Sequence, residues 1–66
     1  MTTKIRIEKA DQYPVPVMVQ EQQVNAEGKW VNNGDPVMLV YAAQQTEQFV
    51  HANKRYIVYE AKMGNA

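Results

Sequence analysis

At 66 residues the chain lies well below the roughly 100–200 residues of an ordinary domain, and the expectation is that 1–66 form one small unit. Lysine plus arginine and aspartate plus glutamate each number 7, so no net field draws it toward nucleic acid, anionic lipid or an acidic substrate. Without cysteine, disulfides and thiolate metal sites are excluded, and stability must come from packing or from association with another chain.

A hydrophobic share of 45% beside 21% charged residues is that of a folded globular protein. The N-terminal residues alternate isoleucine with charge and hold no apolar run of signal-peptide or membrane-helix length. The expectation is therefore a soluble chain with no membrane association. A secreted domain this small is usually disulfide-rich, so the cysteine-free composition points to the cytoplasm.

Lys4–Lys9 has a period of two that puts Ile5 and Ile7 on one face and charges on the other, which predicts a first strand. Asp11–Pro14 is a polar break. Pro14 and Pro16 lack backbone donors and require an edge, a bulge or a loop. Val15, Val17 and Val19 open a second strand, which continues through Gln20–Gln23 toward Val24 as a solvated extension. Asn25–Lys29 suits a hairpin loop before Trp30 and Val31, and Asn32–Pro36, with its Asn-Gly pair and proline, predicts a second turn or bulge.

Val37–Tyr41 is an unbroken apolar run and reads as a strand buried on both faces. Ala42–Ala52 is ambiguous. Its alanines, glutamines and Thr46 suit a short helix around 44–52, whereas the adjacent Phe49 and Val50 and a tight Asn53-Lys54 connection favour a strand. Arg55–Ala61 is aromatic and β-branched and predicts the last strand; Lys62–Ala66 should fray.

The fold class that follows is mainly β, a small antiparallel meander of about five strands forming a compact sandwich or partly open barrel. The alternative is α+β with the one short helix. The expected core is Ile5, Ile7, Val17, Val19, Trp30, Val37, Leu39, Phe49, Ile57 and Val58.

No catalytic constellation is present in the pattern. The chain has no serine or cysteine nucleophile, and its threonines lie at the terminus or in a connection. His51 is the only histidine and has no partner at metal-ligand or acid-base spacing. The carboxylates occur singly, and Gly28, Gly34 and Gly64 are too far apart to cradle a phosphate, so no cofactor or metal is expected. A core of this size should also hardly enclose a ligand pocket, which runs to roughly 300 Å³ or more.

What remains is a binding surface. Trp30, Tyr13, Tyr41, Tyr56 and Tyr59 are residue types that anchor interfaces, and so small a core cannot fully bury them all; Trp30, Tyr56 and Tyr59 are the candidates. With His51, Lys54 and Arg55 they form the candidate set. Its first reading is docking on a protein partner or self-association through a strand edge or aromatic patch. The second is a basic and aromatic platform for single-stranded nucleic acid.

The layout of Ile5–Asp11, Pro16–Glu21, Gly28–Val31 and Gln48–Ala61 resembles small, mostly uncharacterised β proteins encoded in tailed phages and prophages. The resemblance spans most of the chain and rests on elements shared by compact β-hairpins. It transfers no functional residue. It implies a phage-derived accessory or virion-associated module rather than a metabolic enzyme.

Overall fold

The computed structural model describes residues 2–61; the expectations for Lys62–Ala66, including Gly64, lie outside that range. Six strands follow in order: β1 (Thr3–Glu8), β2 (Val17–Val24), β3 (Trp30–Asn32), β4 (Val37–Leu39), β5 (Gln45–Val50) and β6 (Lys54–Glu60). All pairings are antiparallel, as the meander reading requires. The sheets do not close into a barrel.

β2 is the organising strand. β6 runs along one side of it from Gln23↔Lys54 to Val17↔Glu60. β3 and β4 share its other side, β3 against Gln22–Val24 and β4 against Val17–Val19. The count of strands exceeds the expected five because Asn33–Pro36 separates these two short pieces opposite Gln20 and Glu21. Gly34 at φ 73° makes that bulge possible. Gln20, expected to be solvated, is instead buried, and its amide donates to the carbonyls of Gly34 (3.1 Å) and Asn33 (3.4 Å). A polar side chain thus satisfies backbone groups that the broken ladder leaves open.

β1 pairs with β5 in a separate two-stranded sheet, from Thr3↔Val50 to Glu8↔Gln45. The helix alternative for 44–52 is therefore replaced by strand. Ala43, at φ 66°, and Gln44, whose side chain accepts from the backbone of Val40 and Tyr41, form the turn that leads into β5. Thr46 caps nothing; it lies opposite Ile7 and accepts from the Gln48 amide.

β5 and β6 join through a tight turn at Ala52-Asn53, closed by mutual hydrogen bonds between His51 and Lys54 (3.2 and 3.1 Å). Beyond that bridge they part, β5 to β1 and β6 to β2. Asn25 holds the β2–β3 loop, its side-chain oxygen accepting from the Glu27 and Lys29 amides, with Gly28 at φ 78°.

Because cross-strand partners share a face, the register sorts the side chains of β2 and its neighbours. The inner face carries Val17 and Leu39, then Val19, Val37 and Val58, then Glu21 and Tyr56. Val19 and Leu39 are the buried apolar residues among those described, each 1% exposed. The expected core is correspondingly corrected. Phe49 (51% exposed) lies on the outer side of β5, while Ile57 and Val58 remain well exposed on β6. Val37–Tyr41 is not buried on both faces: the strand stops at Leu39, Met38 points outward at 49% exposure and Tyr41 is exposed.

Candidate interaction surface

The pleat of β6 divides the predicted binding set. Lys54 and Tyr56 lie on the inner face, Arg55 and Tyr59 on the outer, and Trp30, opposite Val24, joins the outer group. His51 belongs to neither: its Nδ1 accepts from the Asn53 backbone N–H (3.2 Å) and completes the turn. One six-residue platform is thus not assembled.

On the inner face, Glu21 gathers the polar groups. Its carboxylate accepts from Asn33 Nδ2 and from Gln23 Nε2 (2.8 Å), and Lys54 Nζ lies 3.5 Å away. The Tyr56 hydroxyl is 3.0 Å from Glu21 Oε1 and 2.9 Å from Gln48 Oε1, which links β6 to β5. The Asn33 hydrogen bond above all, then those of Tyr56 and Gln23, holds the Glu21 carboxyl below its usual range. Burial first, then the Glu21 carboxylate, pushes the Tyr56 phenol up. This is a structural knot whose members saturate one another.

Below it, an open cleft of about 330 Å³ runs between Ile7, Tyr13, Val17, Leu39 and Val58. Its volume lies at the lower end of the range of ligand pockets, but it is open to solvent rather than enclosed. The one buried cation on its wall, Lys9, is spent on the adjoining loop: its ammonium donates to the carbonyls of Asp11 (2.9 Å) and Tyr13 (2.6 Å) and to the Asp11 carboxylate (3.2 Å). The Tyr13 backbone N–H, and after it Lys9, keeps the Asp11 carboxyl below its ordinary value. Among the described residues no group of three or more histidine, aspartate or glutamate side chains converges as a metal site. No helix among them is long and apolar enough to cross a membrane.

The outer face differs in kind. Met38, Met18 and Tyr59 form one row across β4, β2 and β6, with Ile57 beside them. Met38, Tyr59 and Ile57 all have more than a third of their surface in solvent. Next comes a polar row in which Arg55 Nε donates to Gln22 Oε1 (2.8 Å) and Gln22 Nε2 to Asn32 Oδ1 (2.9 Å). The Arg55 guanidinium carbon then lies 4.2 Å from the centre of the Trp30 ring, a cation–π contact.

This face ends at an open strand edge. Ala61 donates to the Pro16 carbonyl and Val24 to that of Asn53, which fixes the phase of the β2–β6 ladder. Arg55, Ile57 and Tyr59 direct their backbone groups at β2; Tyr56, Val58 and Glu60 direct theirs away, where no backbone group among the described residues meets them. The other edges are blunted. β3 and β4 are three residues each and flank Pro36, and the outer side of β1–β5 carries Lys4 and Arg6 paired to Glu47. β6 has seven residues, no proline or glycine, and an apolar centre.

Met18, Met38, Ile57 and the Val58 edge were absent from the predicted set. For the edge a signal was available: Tyr56–Tyr59 is an apolar run without proline whose charges, Lys54, Arg55 and Glu60, stand only at its ends. Met38 was concealed within a continuous apolar run, where periodicity carries no facing information. No protein-family model, curated protein or solved structure matches this chain.

Proposed function

We propose that this protein is a non-catalytic binding or structural module that works through the free edge of β6 and the apolar outer face beside it. The observation that carries this reading is a long strand edge with an unpaired apolar centre, contiguous with exposed Ile57, Tyr59 and Met38, where the fully buried apolar side chains among the described residues are Val19 and Leu39. Edge addition supplies backbone hydrogen bonds and the neighbouring side chains supply selectivity, the combination used wherever a strand is added to a sheet. The working site is the cytoplasm of the producing cell, or the virion if a phage encodes the chain, in line with the phage-like layout and the absence of cysteine.

The test is a photoreactive amino acid placed at Tyr59, and at Glu27 as a remote exposed control, in the cell that makes the protein. Adducts from position 59 alone support the reading. Adducts from neither position, or equally from both, would overturn it.

The oligonucleotide reading keeps one specific support, the Arg55–Trp30 contact on the outer face. Lys54 and Tyr56, which it also needs, face the other way and are held by Glu21.

A further inference from the structure

We infer that the occupant of the β6 edge is a second copy of this chain, paired antiparallel about a two-fold axis at Val58; this rests on the reading of β6 as the binding edge. The phase of the ladder selects the register. With the axis at Val58, the three outward-facing residues meet as Val58↔Val58, Tyr56↔Glu60 and Glu60↔Tyr56, so every open N–H and C=O on the edge gains a partner, about six hydrogen bonds in all. An axis at Ile57 would bring Lys54 into the ladder, but its backbone N–H and C=O are already bonded to His51.

Charge favours the antiparallel sense over the parallel one. β6 begins with Lys54 and Arg55 and ends with Glu60, so antiparallel pairing sets each cationic end against the partner's anionic end, and parallel pairing would set like against like. In the Val58 register each Glu60 arrives opposite Tyr56, over whose ring Lys54 Nζ already lies at 5.8 Å. On the outer face the pairing brings Ile57 against the partner's Tyr59, so the Met38–Met18–Tyr59 rows of both copies merge into one apolar strip. An isologous contact of this kind closes after two copies, which an edge paired heterologously does not.

Sedimentation equilibrium and light scattering from about 10 µM to 1 mM test it, the range expected for an interface at the small end of the size scale. The wild type is expected to pass from monomer to dimer and no further. Val58→Pro removes an outward N–H without touching the β2 ladder, because proline is tolerated where a strand's N–H faces out. It is expected to remain folded by circular dichroism and to stay monomeric throughout. Glu60→Lys keeps all backbone groups and is expected to weaken the dimer by at least tenfold, which decides the matter if Val58→Pro does not fold. A wild type that stays monomeric, a folded Val58→Pro that still dimerises, or an unchanged dimer in Glu60→Lys overturns the inference. A monomeric wild type that still forms specific adducts from position 59 would refute the second copy alone and leave the binding edge standing.

Discussion

Met38 and Leu39 are adjacent in a three-residue strand yet 49% and 1% exposed, so truncating each to alanine measures which way β4 faces. Leu39→Ala removes about three methylene equivalents from full burial, about 2.4 kcal/mol at roughly 0.8 kcal/mol per methylene, and the cavity raises this toward about 3–4 kcal/mol. Met38→Ala removes a side chain half of whose surface is already wet and should cost less than about 1 kcal/mol. A domain of this length is expected to have only about 3–10 kcal/mol in total, so Leu39→Ala should remove about a third of it or more. Urea denaturation followed by circular dichroism at low micromolar concentration, where any dimer is dissociated, reads both values. Costs within about 0.5 kcal/mol of each other would refute the one-sided packing of β4 and restore a strand buried on both faces. Repeating Met38→Ala at high concentration should enlarge its cost, because the outer face is then partly covered.

The remaining predictions concern polar groups. Glu21 has a depressed folded-state pKa, so its contribution is present above the ordinary glutamate value of 4.5 and is lost as pH falls through the folded value. The urea midpoint should therefore fall on acidification below about pH 4.5, and Glu21→Gln should flatten that slope; an unchanged slope would show that the Glu21 knot is not formed in solution. Gln20→Ala strips the Asn33 and Gly34 carbonyls of their donor and should cost about 1–3 kcal/mol in the same assay, where a cost near zero would mean that water satisfies the bulge equally well. Arg55→Ala should shift Trp30 emission to the red and cost about 0.5–1 kcal/mol; an unaltered spectrum would exclude the contact.

The alternating strands β1 and β6 were legible because charge or polarity marks every second residue of one and β-branched and aromatic residues fill the other. The turns at Asn25–Lys29 and Asn32–Pro36 were legible through glycine and asparagine, whose chemistry is local. β5 was legible only as the favoured of two readings, because its inward residues Thr46 and Gln48 are polar and find partners only across the fold: Thr46 lies opposite Ile7 in β1, and Gln48 reaches Tyr56 in β6. Facing was the larger loss. Val37–Tyr41 has no polar residue to show that Met38 turns outward, and the burial of Gln20 depends on carbonyls more than ten residues away. The open edge was half legible: the apolar centre of β6 is visible in the chain, but which of its backbone groups stay unpaired follows only from the register with β2.

Amide hydrogen exchange along β6, read by NMR at two concentrations about fiftyfold apart, tests the central claim most directly. Arg55, Ile57 and Tyr59 bond to β2 and should be protected at both concentrations, whereas Tyr56, Val58 and Glu60 should exchange freely when dilute and become protected when concentrated. That alternation, appearing with concentration, is the result predicted for an edge that pairs with its own copy. Outward amides that remain fast at both concentrations would contradict it.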